Sequence, residues 1–209
     1  MKYYPVFLNM QGKKAVIIGG GRVAERKAVT LIEAGARVTV VSPEVSEKLA
    51  QLAGRKLIRY VPRRYRKKDI EKAFVVIAAT DSPETNTRIS KDAPGLVNVV
   101  DVPPLCNFIA PSVIERGPLT FAISTGGTSP AFAKTVRKEL EKLYGPETGA
   151  YLKFISTVRK KALGVLEDPK KRESFLKSLA SAENLRMLRS EGLQAVRKKV
   201  LDRFSSLAG

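Results

Sequence analysis

An α/β fold is predicted, with a doubly wound parallel sheet on the N-terminal side, a small α+β segment after it and a C-terminal helical domain. Three observations predict it. Short apolar runs alternate with helical patterns from residue 13 to residue 101, and the first run opens through three glycines into a helix. From residue 108 the alternation gives way to a hairpin signal, and past residue 145 to helices alone.

The chain is organised around Lys13 to Ala24. Ala15, Val16, Ile17 and Ile18 form a continuous apolar run, the mark of a strand buried on both faces, and Gly19, Gly20 and Gly21 follow at once. Ala24, Ala28, Leu31 and Ile32 then share one face of a helix closed by Gly35. Gly19, Gly21 and Ala24 hold the three positions of G-x-G-x-x-G/A, which serve a tight turn, close backbone approach to a pyrophosphate, and close helix-to-strand packing. Free N–H groups and the positive end of the helix dipole would face the anion. With the second strand, Arg37 to Val41, this is the dinucleotide-binding βαβ unit of a Rossmann fold.

Before it, Tyr3, Pro5, Val6, Phe7 and Leu8 read as a packing element contributing to the core. At the end of the second strand stand Ser42, Pro43 and Glu44, without an acid at the strand tip. Ribose recognition then falls to Ser42, Glu44 or backbone groups, and the lack of an arginine there favours NAD over NADP. Val45 to Ala53 reads as a helix, Leu57 to Val61 as a third strand, and Phe74 to Ala79 as a fourth, fully apolar and interior. Thr80 and Asp81 follow it at the edge where open parallel sheets bind ligands. They are either neighbours of a cofactor or substrate, or Asp81 caps the next helix beside Ser82 and Pro83. Thr85 to Lys91 continues as helix, and Leu96 to Val100 is the fifth strand.

Asp101 ends that strand and precedes Val102, Pro103 and Pro104. A carboxylate fixed there is a general base if its pKa is raised, or the start of a turn. Phe108 to Ile114 and Leu119 to Ser124 are two extended segments joined by Glu115, Arg116, Gly117 and Pro118. Ser124, Thr125, Gly126, Gly127, Thr128 and Ser129 then form a hydroxyl- and glycine-rich loop, with Ser129 as N-cap and Pro130 as first residue of a helix to Leu143. Such a loop either binds an anion or simply caps its helix. Beyond Gly145-Pro146, Tyr151, Phe154, Ile155 and Val158 repeat helically, Asp168-Pro169 restarts a helix containing Phe175, Leu176 and Leu179, and Leu193 to Phe204 makes the last.

The chain carries 38 Lys and Arg against 20 Asp and Glu, a formal charge of +18, which calls for an anionic partner or a solvated basic face. Nucleic acid is disfavoured: Trp is absent, and the densest basic run, Arg63 to Lys68, lies between two strands rather than in a nucleic-acid motif. With no His and one Cys, the usual metal sites and an internal disulfide are excluded, so no metal ligand is assigned. No apolar run reaches the roughly 20 residues of a membrane span and no signal peptide is seen, so a cytoplasmic location without membrane contact is expected.

Together these residues resemble the NAD-dependent precorrin-2 dehydrogenases, the N-terminal module of sirohaem synthases, some of which are also sirohydrochlorin ferrochelatases. The resemblance rests on Ile18-Gly-Gly-Gly-Arg-Val-Ala-Glu-Arg-Lys27, Glu33-Ala-Gly-Ala-Arg-Val-Thr-Val40, Ala78-Ala-Thr-Asp81, Asn98-Val-Val-Asp101, Phe108-Ile-Ala-Pro-Ser112 and Ser124-Thr-Gly-Gly-Thr-Ser-Pro130. It spans residues 3 to 145; the helical tail is similar only in position and character. It implies a homodimer with an NAD-binding domain over residues 1–112, a dimerisation segment over 113–147 and a helical domain over 148–209 that helps cover the substrate. That substrate is a tetrapyrrole with an acetate and a propionate on each pyrrole-derived ring, a partner suited to the charge. It implies NAD contacts at Arg22, Val23, Pro43 and Glu44, and an essential carboxylate at Asp101. Thr125 stands where some sirohaem synthases carry a phosphorylatable serine, so that regulation is not carried over. As no methyltransferase domain follows, the expectation is a free-standing dehydrogenase, with iron insertion secondary. The rival from another class is a non-catalytic NAD(H)-sensing Rossmann module, which would have no use for Asp101 before two prolines or for the hydroxyl-rich loop.

Overall fold

The apolar runs form one parallel sheet of five strands, β1 (Lys14–Ile18), β2 (Arg37–Val41), β3 (Ile58–Val61), β4 (Val75–Ala78) and β5 (Leu96–Val99). Their spatial order is β3-β2-β1-β4-β5. The computed structural model describes residues 3–208, and the chain divides into two units, Met1–Ala110 and Pro111–Gly209.

Successive side chains on a strand point to opposite faces, so a run apolar at every position needs cover on both. Ala15, Ile17, Val38, Val40, Val75 and Ile77 pack with Ala24 and Ala28 of α1 (Arg22–Glu33) and Leu49 of α2 (Glu47–Gly54). Val16, Ile18, Val41, Val76, Ala78, Val97 and Val99 pack on the other face with Ile89 of α3 (Pro83–Asp92) and with Tyr65 and Ile70. Each Val or Ile so enclosed stabilises the fold by about 1.5–3 kcal/mol. The sheet reverses its winding between β1 and β4, and the gap this leaves at their carboxyl ends is where such folds take ligands.

Several expectations shift. The N-terminal apolar segment is not core: Tyr4, Val6, Phe7 and Leu8 are exposed, and Met10 is the first residue packed into the sheet cluster. The second helix begins after Ser46 rather than at Val45, because the Ser46 hydroxyl accepts the Leu49 N–H at 3.3 Å. Strand β5 stops at Val99, one residue early, and Asp101 sits beyond it in a turn.

The basic run from Arg63 to Lys68 is only partly a solvated face. Arg63 grips Asp69 with both guanidinium N–H groups, at 2.9 and 2.6 Å, and the Arg66 N–H donates to the same carboxylate at 2.8 Å. The buried Tyr65 donates its hydroxyl to Asp92 at 2.9 Å. The Arg63 fork holds the Asp69 carboxyl below the usual aspartate range, against the opposing effect of its partial burial. A depressed carboxylate contributes stability that is complete above its unfolded pKa of about 3.9 and is lost as pH falls through the folded value. Asp69→Asn is therefore expected to unfold at lower temperature than wild type at about pH 7, the gap closing below about pH 4. A gap that stays constant down to about pH 2 would contradict this.

In the second unit, β6 (Ser112–Arg116) and β7 (Leu119–Ile123) pair antiparallel with Arg116 opposite Leu119. Glu115 and Arg116, expected in the connection, thus belong to the strand, and the turn is Gly117-Pro118 alone, with Gly117 at φ +61°. Phe108 to Pro111 lie outside the strand. Five helices follow: α4 (Pro130–Leu143), α5 (Pro146–Val165), α6 (Pro169–Leu179), α7 (Ala182–Ser190) and α8 (Leu193–Ala208). A Cβ on Gly149 would lie 2.7 Å from the Arg116 carbonyl oxygen, so α5 rests backbone to backbone on the hairpin turn. Helix α7 is not foreseen by the periodicity. Ser181 caps it, and its Asn184 donates to the Tyr151 hydroxyl at 3.3 Å and to the Ser178 carbonyl at 2.9 Å, tying it to α5 and α6.

Candidate dinucleotide and substrate site

The three glycines after β1 do three different things. Gly19, at φ +119°, runs so close to the end of β4 that a Cβ there would stand 2.1 Å from the Ala79 carbonyl oxygen. Gly20 presses on the segment after β2, where a Cβ would meet the Glu44 carbonyl oxygen at 1.9 Å. Gly21 faces open space, where a methyl group would meet nothing within 4 Å, and is the N-cap of α1 without any side-chain cap. The first helical bond inside this end is Glu25 N–H to Gly21 O at 3.0 Å, so the N–H groups of Arg22, Val23 and Ala24 have no intrahelical acceptor. Open room in front of unsatisfied donors at the positive end of a helix fits a pyrophosphate.

The segment after β2 is latched to this loop. Ser46 N–H donates to the Gly20 carbonyl at 2.8 Å, the Ser46 hydroxyl donates to Glu25 at 2.8 Å, and the Tyr60 hydroxyl donates to the Pro43 carbonyl at 3.0 Å. Pro43 and Glu44 are thereby held beside Gly20 with the Glu44 side chain exposed, while Ser42 is buried beneath the glycines. Glu44 is the acceptor here with a free carboxylate to offer a ribose hydroxyl. Ser46 and Glu25, which set this geometry, escape the sequence reading; the S-x-x-L spacing before α2 is the signal that could have found them.

Across the gap, the Thr80 side chain is committed to the protein: its Oγ1 lies 2.8 Å from Asn86 Oδ1 and accepts the Ser82 N–H at 3.2 Å. The cap of α3 is Ser82, not Asp81, since its hydroxyl accepts the Thr85 N–H at 3.1 Å. Asp81 is left exposed at the strand end. Asp101 has φ +60°, a left-handed backbone that Asp and Asn tolerate better than most residues. Among the described residues the other non-glycine of this kind, Lys56, simply ends α2, whereas Asp101 ends no helix and projects from the carboxyl end of β5. Pro103 and Pro104 do not break structure but start a short 3-10 turn, Pro103–Leu105, that fixes the direction of the Asp101 loop. With β4 between β1 and β5, the glycine loop and Asp101 are about 10 Å apart at strand spacing.

The hydroxyl-rich loop lies in the second unit and largely bonds to itself. Ser124 accepts the Gly126 N–H at 3.0 Å, Thr125 Oγ1 accepts the Ser129 N–H at 3.1 Å, and the Ser129 hydroxyl accepts the Phe132 N–H at 3.2 Å. Gly126 and Gly127 take φ +64° and +92°, and the space around both is open, as is required of a loop that admits a ligand to its backbone. Thr128 donates its N–H to the Thr125 carbonyl at 3.1 Å. Among the described residues no group of three or more Cys, Asp or Glu is arranged to hold a metal ion, and no helix is long and apolar enough to cross a membrane.

A doubly wound sheet with an open glycine at a bare helix N-terminus defines a Rossmann-type dinucleotide-binding protein. A family model for NAD(P)-binding matches residues 6–112, and the chain belongs to that family. A second model, described as the central segment of sirohaem biosynthesis proteins, matches residues 116–143. The chain is 35% identical to siroheme synthase 3 of Aeromonas hydrophila over 205 residues, covering 97% of this chain and 44% of that protein. It is 38% identical to the siroheme synthase of Thioalkalivibrio sulfidiphilus over 182 residues, or 86% and 37% of the two chains. It thus spans less than half the length of these relatives. The solved structure of SirC, precorrin-2 dehydrogenase, superposes with a TM-score of 0.79 over 96% of this chain and 100% of that one, at 22% identity, and shares the fold.

Proposed function

We propose that this protein oxidises precorrin-2 to sirohydrochlorin with NAD, as a cytoplasmic homodimer on the route to sirohaem. The observation that carries the reading is the pairing, on one sheet edge, of an open glycine cradle after β1 with a carboxylate in left-handed backbone after β5. Similarity to siroheme synthases supplies the substrate.

Bound NAD supplies an acceptor for a hydride leaving the tetrapyrrole. Gly21, Arg22 and Val23 hold the pyrophosphate through backbone N–H groups, with Gly19 and Gly20 allowing the close approach, and Glu44 takes a ribose hydroxyl. The absence of a basic side chain from Ser42 to Glu44 leaves a 2′-phosphate without a counter-charge, hence NAD rather than NADP. Asp101 accepts the proton that the ring releases as conjugation extends. Asp81, exposed after β4, lies between these two contributions, and Thr80 shapes the strand end. In the loop Ser124 to Ser129, whose own bonds engage the N–H groups of Gly126, Thr128 and Ser129, the N–H groups of Thr125 and Gly127 serve a substrate carboxylate. The exposed apolar residues Val113 of β6 and Phe132 and Leu143 of α4 support self-association through this unit.

The test is an absorbance spectrum after mixing protein, NAD and precorrin-2. Sirohydrochlorin bands and NADH are expected to rise together; an NAD(H) sensor would bind the dinucleotide and leave the tetrapyrrole spectrum unchanged. With a formal charge of +18 facing a polycarboxylate, KM is expected to rise steeply with salt while kcat changes little. A flat KM would assign the charge to another role.

A further inference from the structure

Val99 to Val102 form a four-residue turn at the carboxyl end of β5, closed by the Val102 N–H on the Val99 carbonyl at 3.3 Å, and Asp101 is its third residue. That position of a turn can require a left-handed backbone, and Asp101 takes it at φ +60°. Such a backbone is disfavoured for an L-residue, Asp included, so the turn keeps this shape only where its surroundings hold it. On one side the Val100 N–H donates to the Ala78 carbonyl of β4 at 2.9 Å. On the other, β5 is the last strand of the sheet, and the outward backbone groups of Val97 and Val99 have no neighbouring strand to pair with.

Two residues of the returning segment stand in for that strand. At Val97, the Asn107 side-chain oxygen accepts the N–H at 2.8 Å, the Asn107 N–H donates to the carbonyl at 3.1 Å, and the Asn107 side-chain nitrogen donates to the Gly95 carbonyl at 2.8 Å. At Val99 the partner is the half-buried Cys106, whose sulfur accepts the N–H at 3.1 Å. The same sulfur lies 3.2 Å from the Val99 carbonyl and 3.4 Å from that of Val102, both within reach of its single S–H. The thiol thus touches the first and the last residue of the turn, and its own segment is anchored where the Ser90 hydroxyl of α3 donates to the Leu105 carbonyl at 2.8 Å. Asp101, between those two ends, is exposed, and among the described residues no hydrogen bond or ion pair holds its carboxylate. The direction of that carboxylate is therefore set by the backbone of the turn, and whatever fixes the turn aims the side chain.

We propose that Cys106 is a positioning residue for Asp101, its thiol gripping both ends of the turn and so aiming the carboxylate that takes the substrate proton. This rests on the proposed function for the proton step. The variants are Cys106→Ala and Cys106→Ser, beside Asn107→Ala, which opens the same sheet edge at Val97, one pair further from the turn. For Cys106→Ala, kcat for precorrin-2 is expected to fall about 10-fold or more, toward the roughly 10²-fold that a small misplacement of a reacting group costs, with KM and NAD affinity unchanged. Serine keeps one donor and one acceptor at this place, so Cys106→Ser is expected to recover most of kcat. Asn107→Ala is expected to lower the unfolding temperature at least as far as Cys106→Ala does, while kcat falls less. Amide hydrogen exchange should quicken at Val99 and Val102 in Cys106→Ala and return toward wild type in Cys106→Ser. Wild-type kcat in Cys106→Ala would overturn the proposal and leave the dehydrogenase reading standing. A kcat that follows lost stability alike in Cys106→Ala and Asn107→Ala would overturn it too, since the thiol would then serve the fold alone. If wild type does not oxidise precorrin-2, both fall.

Discussion

Gly21→Asp is expected to fold as wild type does and to bind NAD about 10²-fold or more weakly. The room around Gly21 is open, so the new Cβ meets no protein atom within 4 Å, and as an N-cap Asp is favourable to the helix. The same carboxylate would occupy the pyrophosphate position, where juxtaposed like charges cost several kcal/mol. Calorimetric titration with NAD, paired with thermal unfolding, reads both halves of this. Gly19→Ala is the contrasting control. Its methyl would fall 2.1 Å from the Ala79 carbonyl oxygen at a φ of +119°, so it should lose stability as well as affinity. NAD affinity undiminished in Gly21→Asp would remove the glycine loop from the site.

Asp101→Ala is expected to lower kcat by about 10²-fold or more while NAD affinity persists, the usual scale for removing a positioned acid or base. Alanine also abandons the left-handed turn that Asp101 occupies at φ +60°. Asp101→Asn separates the two effects, since Asn favours that backbone and cannot take a proton. Both variants should be equally inactive if the carboxylate is the proton acceptor. Activity that survives in Asp101→Asn and fails in Asp101→Ala would reduce the residue to a turn former. The same pair tests iron insertion. Metallation of sirohydrochlorin must remove two pyrrole protons, and under the proposed function Asp101 is the carboxylate that accepts them. Anaerobic incubation with Fe²⁺ should then show any acceleration over the protein-free rate disappear with turnover.

Much of the first unit is written in local pattern. Runs such as Ala15 to Ile18, apolar at every position, have no stable arrangement except burial on both faces, and a parallel sheet with helices on either side is what provides it. Gly19, Gly21 and Ala24 at their spacing announce the cradle, and Ser129-Pro130 marks the start of α4, because caps and tight turns are decided by a few neighbouring residues. The N-terminal segment misleads for the converse reason: apolar character shows a capacity for burial, and Val6 and Phe7 find no cover among the described residues.

What the sequence alone determined was the class of fold, the glycine loop and the carboxylate after β5, each fixed by residues adjacent in the chain. Tertiary structure decided the rest. Packing between elements assigned Gly20 to Glu44 and Tyr65 to Asp92, while the folding of the turns after β4 and β3 assigned Thr80 to Asn86 and Arg63 to Asp69. Helix α7 escapes notice because it is only nine residues long, and it is fixed in place by Asn184 reaching Tyr151, 33 positions away. Contacts at that separation follow from which elements become neighbours, and local sequence does not encode them.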